Sequence, residues 1–272
     1  MSRSKPHTSS LATIFDRIPY SYDRFRPGYA PEAIEALVEL SGVSAVADVL
    51  EIGAGTGKLT VALAARGFAI TAVEPGPRMA DLLARRVRRW PSVRIIRSTF
   101  EAAPIEPHSF DLVVAATAFH WLDPDRRYDL AADALRPGGA LGLIRNDHVA
   151  APSNASYIEG VTPIYERHAP ELLEDLALPM PDDPPGFEAE MRASGRFQRI
   201  EQRQFGWDHR FTAATLTGML GTHSEHRGLP RRRRSALLRE INDFVERDLG
   251  GAIVDRYVTT VCVGHAGAPA EG

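Results

Sequence analysis

The sequence predicts an α/β fold built on a doubly wound, mostly parallel sheet. Between residues 30 and 145, short apolar segments alternate with helical patterns of about ten residues, which is typical of βαβ units with helices on both faces of a sheet. A glycine-rich segment, 53–57, leads directly from the first apolar segment into a helix. With 272 residues and 44% apolar composition, the chain can form one sizeable core, and we expect a single domain spanning residues 1–272.

Each element in this alternation has a local signal. Residues 30–40 are predicted to be helical because Pro31 suits a first turn and Ile34, Leu37 and Val38 share one face. The other predicted elements are strands at 45–52, 69–73, 93–97, 110–116 and 140–144, helices at 58–66, from 77 onward and at 124–135, and a turn at 136–139.

Beyond residue 146 the alternation weakens. Tyr157, Val161, Ile164 and Tyr165 recur at helical spacing, and four prolines predict a loop at residues 178–186. The remaining expectations are one long strand or a bent pair at 197–211, a helix at 230–249 and a last strand at 257–263.

Composition and charge exclude several classes of protein. The net charge of −3 and the pI near 6.3 disfavour a general electrostatic binder of nucleic acid, which would be basic. The single cysteine, Cys262, cannot form an intramolecular disulfide, and the histidines have no metal-ligand spacing, so no metal site is predicted. No apolar run reaches the ~18 residues of a membrane-spanning helix, and the first residues do not resemble a signal peptide. We therefore expect a cytoplasmic protein with no membrane partner and a short disordered N-terminus.

Two arginine clusters occur on predicted helices. Residues 231–234 are four consecutive arginines at the start of one helix, and Arg85, Arg86, Arg88 and Arg89 lie near the end of another. Because the chain as a whole is slightly acidic, we interpret both clusters as solvated helix surfaces rather than as contacts to nucleic acid.

The most informative pattern combines two acids with the glycine segment. Glu51 lies two residues before Gly53 at the end of the first strand, Gly55 and Gly57 follow, and Glu74 ends the next strand. Glycines allow a backbone to turn sharply and to approach a ligand closely. In an open α/β sheet, ligands bind at the carboxyl ends of the strands, where an acid can accept hydrogen bonds from ribose hydroxyls. This arrangement predicts a site for a nucleoside-containing cofactor.

The spacing of the glycines limits which cofactor this is. Dinucleotide folds use G-x-G-x-x-G and P-loops use G-x-x-x-x-G-K-[ST], whereas this chain has G-x-G-x-G. A carboxylate at Glu51 would repel a pyrophosphate but suits an ammonium group. An NAD(P)-dependent oxidoreductase with an atypical glycine loop remains the alternative enzyme class, and an ordinary strand-to-helix turn is the structural alternative.

Five segments carry a resemblance to a known family. They are YDRFRPGYAPEAIEAL (22–37), DVLEIGAGTGKLT (48–60), AVEPGPRMADLL (72–83), STFEAAPIEPHSFDLVVAATAFHWLDP (98–124) and ALRPGGALGLI (134–144). Together they resemble class I S-adenosylmethionine-dependent methyltransferases of the small-molecule type, and the first resembles a subgroup that includes trans-aconitate-methyltransferase-like proteins. The resemblance implies a Rossmann-like, seven-stranded sheet whose last strand is antiparallel.

The resemblance also implies a division of the chain. Residues 1–45 would form a helical N-terminal lid, residues 46–146 the cofactor-binding core, and residues 147–272 the substrate cover with the last two strands. S-adenosyl-L-methionine would donate its methyl group by in-line displacement to an oxygen, nitrogen or carbon atom of a small-molecule metabolite, leaving S-adenosyl-L-homocysteine. A partner subunit that binds cofactor without turnover is the non-enzyme alternative, and the oligomeric state is left open.

The family pattern assigns cofactor contacts residue by residue. Glu51 would face the methionine amino group, and Glu74 would bind the ribose diol. The other implied cofactor-binding residues are Gly53, Gly55 and Gly57 beside the methionine moiety, Pro75, Met79, Thr99 and Phe100 around the adenine, Ala116 and Thr117 along the methionine portion, and Tyr22 and Arg26 in the lid, with Arg26 near the carboxylate.

Four further residues are candidates for contact with the methyl acceptor. His120 follows the fourth strand, either as a general base or as a structural histidine beside Trp121, and both interpretations stay open. Methyl transfer does not require a base, because proximity and orientation supply much of the rate. Trp121, His148 and His223 are the candidate substrate-binding residues. His223 is singled out because Thr-His-Ser at 222–224 replaces a more usual Thr-Tyr-Ser.

Overall fold

A computed structural model gives the fold of residues 15–182 and 186–267. The strands are β1 (Asp48–Ile52), β2 (Ala69–Val73), β3 (Val93–Ile96), β4 (Phe110–Ala116), β5 (Leu135–His148), β6 (Phe197–Thr212) and β7 (Ala252–Ala266). In this part of the chain they form one sheet in the order β3-β2-β1-β4-β5-β7-β6, with β7 antiparallel to both neighbours and the other pairs parallel. The predicted fold class and seven-stranded sheet are confirmed. The expected disorder concerns N-terminal residues outside the described ranges.

Helices cover both faces of this sheet. They are α1 (Pro19–Phe25), α2 (Pro31–Ser41), α3 (Lys58–Ala64), α4 (Pro77–Val87), α5 (Arg127–Ala134), α6 (Pro152–His168), α7 (Phe187–Ala193), α8 (Ala213–Leu220), α9 (Ser224–Gly228) and α10 (Arg231–Asp248). The alternation along β1 shows why two faces are needed. Val49 packs in a cluster with α2, α3 and α4, whereas Leu50 packs with α5 and α7. A strand with both faces buried is typical of a parallel sheet.

The largest departure from the predicted elements in the N-terminal half is β5. The pattern predicts a helix over 124–135, a turn at 136–139 and then a strand, but α5 is shorter and β5 already begins at Leu135. Leu135 pairs with Phe110 and Ala140 pairs with Leu112, so the register shifts across the expected turn. Arg136 holds this bulge at the amino-terminal end of the sheet through ion pairs with Asp48 and Asp111.

The C-terminal half builds a third core above the carboxyl edge of the sheet. Phe197–Thr212 is one strand, with a register shift between Gln198 and Glu201, rather than a bent pair. Helices α6, α8 and α10 pack Val161, Leu216 and Ile241 against the upper parts of β6 and β7. Helices α7, α8 and α9 have no counterpart in the sequence prediction. The loop predicted at 178–186 lies partly outside the described residues.

Both arginine clusters contain residues that bond within the protein. Arg231 and Arg232 are exposed at the start of α10, as predicted. Arg233, however, donates to the His168 carbonyl and pairs with Glu171, and Arg234 donates to the Arg227 carbonyl.

Among the described residues, no helix is both long enough and apolar enough to span a membrane.

Candidate active site

The glycine loop between β1 and α3 has a backbone that only glycine adopts easily. Gly53, Gly55 and Gly57 have φ of 66°, 57° and 87°. The Gly53 and Ala54 amides both donate to the Val73 carbonyl at the end of β2. A Cβ at Gly53 would lie 2.5 Å from the Ala118 Cβ, just after β4. The loop therefore packs tightly against the ends of two strands.

Glu51 is buried beneath this loop. The residue is 2% exposed, and its Oε2 has no hydrogen-bond partner among the described residues. Burial raises the pKa of the carboxyl group to about 8, and the neighbouring Glu74 contributes to the increase. A buried carboxyl oxygen without a hydrogen-bond partner is costly, so Oε2 marks a place where a ligand donor or cation would be favourable.

Glu74 joins the glycine loop to the segment that follows β2. Its Oε2 accepts from the Gly55 amide at 2.8 Å, and its Oε1 accepts from the Gly76 amide at 2.8 Å. Burial raises the pKa of Glu74, while these two hydrogen bonds act in the opposite direction. A carboxylate has about four acceptor positions, so two remain available for further donors. The two predicted acids thus lie at the carboxyl ends of neighbouring strands.

Helix α1 is bonded to the glycine loop and to α4. Asp23 is the centre of these contacts: its Oδ1 accepts from Thr56 Oγ1 at 2.8 Å, its carbonyl accepts from Lys58 Nζ at 2.9 Å, and its carboxylate pairs with Arg86 at 2.8 Å. Arg86 is therefore bonded to Asp23 and to the glycine loop, which corrects its interpretation as a solvated helix residue. Just before α1, Asp16 Oδ1 accepts from the first amides of α4.

Tyr22 lies in α1 and Arg26 directly follows it, and the two side chains are close together. The Arg26 guanidinium lies 5.7 Å from the Tyr22 ring centroid, and burial raises the pKa of Tyr22. Arg26 Nε donates to Thr222 Oγ1 at 2.8 Å, in the turn before α9. Arg26 thereby joins the lid to the C-terminal cover. None of the described carboxylates lies within ion-pair distance of Arg26.

The end of β4 is strained at Thr117, which has a φ of 55° although it is not glycine. Its amide donates to the Ile144 carbonyl, and its hydroxyl lies 3.3 Å from the hydroxyl of Tyr29. Ala116, the preceding predicted residue, is half-buried. Because backbone strain of this kind clusters at functional sites, the position of Thr117 supports its place in the pocket.

The residues predicted around the adenine contribute mostly apolar surface. Met79 and Phe100 are buried, at 3% and 6% exposure, whereas Pro75 and Thr99 are half-buried. The His120 and Trp121 rings are in contact, tilted at 48° with centroids 4.3 Å apart, and the Phe15 ring centroid lies 6.3 Å from that of Trp121. This contact fits the structural interpretation of His120 without deciding its role.

His148 and His223 lie together in the C-terminal cover, with ring centroids 6.1 Å apart. His148 Nδ1 is 2.6 Å from Asp255 Oδ2, and His148 Nε2 is 2.8 Å from the Tyr257 hydroxyl. Burial holds the pKa of His223 well below its usual range, and Arg26 acts in the same direction. These two histidines line a cavity of ≈ 220 Å³, together with side chains from α6, α8 and α9.

Sequence reasoning missed several residues that organise the site: Asp16, Asp23, Tyr29, Arg86, His226 and Asp255. Asp23 and Tyr29 fall inside the family-like segment 22–37 and could have been singled out there. Asp255 gives no local signal, because it pairs with a histidine 107 residues away.

Comparison with known proteins decides the family. A family profile described as a methyltransferase domain matches residues 49–139. An uncharacterized methyltransferase of Mycobacterium tuberculosis is 32% identical over 204 residues, which cover 75% of this chain and 74% of that protein. The chain is a class I S-adenosylmethionine-dependent methyltransferase. Its subgroup remains a prediction.

Solved structures of other methyltransferases share the fold of this chain. A candidate type II methyltransferase of Anaeromyxobacter dehalogenans matches with a TM-score of 0.62 at 24% identity, covering 89% of this chain and 98% of that one. Phosphoethanolamine N-methyltransferase 2 of Haemonchus contortus, solved with phosphomonomethylethanolamine and S-adenosylhomocysteine, matches with a TM-score of 0.56 at 15% identity, covering 94% and 59%. At these identities the methyltransferase shares the fold with its neighbours, and the acceptor must be argued from its own site.

Proposed function

We propose that this methyltransferase transfers the methyl group of S-adenosyl-L-methionine to a small molecule and releases S-adenosyl-L-homocysteine. The observation that carries the cofactor assignment is the buried Oε2 of Glu51, which has no partner among the described residues. An ammonium group would supply the missing donor and the compensating charge. A pyrophosphate has no such donor to offer and would meet a like charge whenever Glu51 is ionised, which weighs against a dinucleotide.

The residues around the glycine loop suit the rest of this cofactor. Glu51 would hold the methionine ammonium, and Glu74 would accept from the ribose hydroxyls with the positions that the two loop amides leave free. Met79 and Phe100 offer the apolar surface that an adenine ring requires. When bound, the cofactor supplies an activated methyl group on a sulfonium.

The protein's own contribution is to orient the reactants and to exclude water. Asp23 fixes α1 over the glycine loop, so that Tyr22 and Arg26 cover the site from the lid. Thr117 and Tyr29 define its opposite side at the end of β4. Holding two reactants in a closed site lowers the entropic part of the barrier, which is the main requirement for an in-line displacement. His120 is proposed as a residue at this site, either as a base or as a support for Trp121.

The acceptor is proposed to be a small molecule rather than a nucleic acid. The cavity beside His148 and His223 is lined mainly by apolar and aromatic side chains and measures ≈ 220 Å³, which suits a metabolite. Two of the four consecutive arginines, Arg233 and Arg234, donate to backbone carbonyls within the protein, which leaves only Arg231 and Arg232 of that run exposed.

A thermal-shift titration tests the cofactor assignment. The unfolding midpoint of the native protein should rise by about 5–10 °C at ~100 times the Kd of S-adenosylhomocysteine, because a ligand that binds only the folded state stabilises it. NAD should produce no shift. Glu74→Ala and the more conservative Glu74→Gln should both weaken the response, whereas Glu106→Gln, an exposed loop acid, should leave it unchanged.

A rise with NAD alone, or with neither ligand, would overturn the methyltransferase assignment of this site. Two variants of Glu74 are needed, because Glu74→Ala removes the acceptor for two buried loop amides and lowers stability for that reason alone.

A further inference from the structure

The cavity lined by His148 and His223 combines an apolar wall with carboxylate and imidazole groups. Its wall includes the aromatic rings of Tyr157 and Tyr165 and the side chains of Leu172, Leu216 and Met219. Such a surface takes up an apolar body, and its aromatic faces are also favourable for a cation.

The charged residues that line this cavity are all acidic. Asp175 and Glu225 are exposed and therefore lie at its opening, whereas Asp255 is buried and bonded to His148 and Asn154. Among the described residues, neither Asp175 nor Glu225 has a cationic side chain within ion-pair distance. Burial raises the pKa of Asp175, and repulsion by Glu225 and Glu174 raises it further. A ligand cation at the opening would relieve this repulsion.

Two histidines of the cavity, His223 and His226, do not supply a positive charge near neutral pH. Burial lowers the pKa of His226 to about 4, and it holds the pKa of His223 well below its usual range. Arg26 and Arg234 contribute to the low value at His226, but neither of them lines the cavity. The carboxylates at the opening therefore face two uncharged imidazoles rather than cationic ones.

One buried nitrogen in the lining of the cavity lacks a hydrogen-bond partner among the described residues. His226 is 5% exposed and lines the cavity, its Nε2 is 2.7 Å from the Tyr165 hydroxyl, and its Nδ1 has no partner among the described residues. An imidazole nitrogen that is left unpaired in a buried site lacks a hydrogen bond that a ligand can provide.

We infer that this cavity binds the methyl acceptor, and that the acceptor has an apolar body and an ammonium group held among Asp175, Glu225 and His226. A protonated nitrogen has no lone pair, so the ammonium group serves recognition and is not the nucleophile while it is bound there. This inference rests on the proposed methyltransferase function. Among the described residues that line the cavity there is no arginine or lysine, so the carboxylates at its opening disfavour a polycarboxylate as its ligand.

Three probes with nearly the same body test the inference: phenethylamine, phenethyl alcohol and phenylacetate. Their Kd values are measured by NMR titration of the full-length protein saturated with S-adenosylhomocysteine. The amine should bind at least about tenfold more tightly than the acid, with the alcohol between them, because only the amine complements the carboxylates. The double substitution of Asp175→Asn and Glu225→Gln should weaken the amine by about fivefold and leave the alcohol unchanged.

Glu166→Gln is the matched control, since Glu166 is an exposed acid on α6 that does not line the cavity. Saturation with S-adenosylhomocysteine in the same sample shows that each variant is folded and that the cofactor site is intact. If that ligand does not bind, the proposed function fails. If it binds but the acid equals the amine, none of the probes binds, or the double variant retains the amine, only the inference about the cavity fails.

Discussion

A single buried carboxyl group carries most of the cofactor assignment. The backbone of Glu51 pairs with Ala72 of β2, but one oxygen of its side chain has no hydrogen-bond partner among the described residues. Such a group opposes folding and is kept where function needs it. The sequence predicts this role from the type of residue and its spacing from Gly53. The raised pKa could not be predicted, because it depends on how deeply the loop buries the side chain.

The first prediction concerns the pH dependence of folding at this residue. Burial raises the pKa of Glu51 to about 8 from 4.5, so its contribution to stability is complete below pH 4.5 and is lost as the pH rises through 8. Glu51→Gln has no charge to lose. In urea unfolding without ligand, the stability of this variant relative to native protein should therefore increase by about 2–3 kcal/mol between pH 6 and pH 9.

Glu51→Gln also tests how ligand binding, as distinct from stability, depends on pH. Binding of an ammonium group requires ionised Glu51, so the native protein should bind S-adenosylhomocysteine about tenfold or more tightly at pH 8 than at pH 6. Glu51→Gln should bind weakly at both pH values. An affinity of the native protein that does not change with pH would contradict the assignment of Glu51 to the methionine ammonium.

At the scale of elements, the lid helix depends on the core for its position. Helix α1 has only seven residues and no side-chain cap, so it is too short to be stable alone. Asp23 supplies the contacts that replace intrinsic stability, through Thr56, Lys58 and Arg86. The lid and the glycine loop are therefore expected to be ordered together.

Asp23→Asn should release the lid with little effect on the remainder of the fold. The substitution removes the ion pair between Asp23 and Arg86. Because the Arg86 side chain is 33% exposed and that of Asp23 19%, the loss of global stability should be about 1 kcal/mol or less. Binding of S-adenosylhomocysteine should weaken by about fivefold, and amide exchange in residues 19–25 should accelerate. Arg88→Gln, an exposed arginine near the end of α4, is the control. Unchanged exchange in residues 19–25 would show that other contacts hold the lid.

The elements of the N-terminal half could be predicted well because each one is encoded locally. β2 and β4 have the predicted bounds, since a short apolar run flanked by turn residues determines a buried strand. β5 was predicted too short, because its bulge is held by Arg136 and two distant acids rather than by its own pattern. Helix α8 was missed for a similar reason. Thr212 caps this helix, but its apolar residues are buried only by packing against the third core, which its own sequence does not indicate.

At the scale of the molecule, the lid and the cover meet above the sheet. Arg26 and Thr222 are 196 residues apart in sequence, yet their side chains hydrogen-bond at 2.8 Å. A second link joins Asn146 at the end of β5 to the Gly28 carbonyl. Contacts over such distances leave no signal in one sequence, so the sequence predicts His148 and His223 but not Asp255 and His226, which line the same cavity. The segment around α1 is thus joined to the C-terminal half by the Arg26–Thr222 hydrogen bond and by the packing of Phe25 against the third core.

Arg26→Gln should uncouple α1 from residues 222–228, because it removes the hydrogen bond to Thr222. In the native protein, S-adenosylhomocysteine should slow amide exchange in the glycine loop, in α1 and in residues 222–228, because ordering the lid fixes Arg26 against Thr222. In Arg26→Gln, slowing should persist in the glycine loop but disappear from residues 222–228. Arg24→Gln, an exposed arginine on the same helix, should behave as the native protein does. Equal slowing of residues 222–228 in native protein and in Arg26→Gln would mean that the cover responds through the sheet, by way of β5 and β7, and not through the lid.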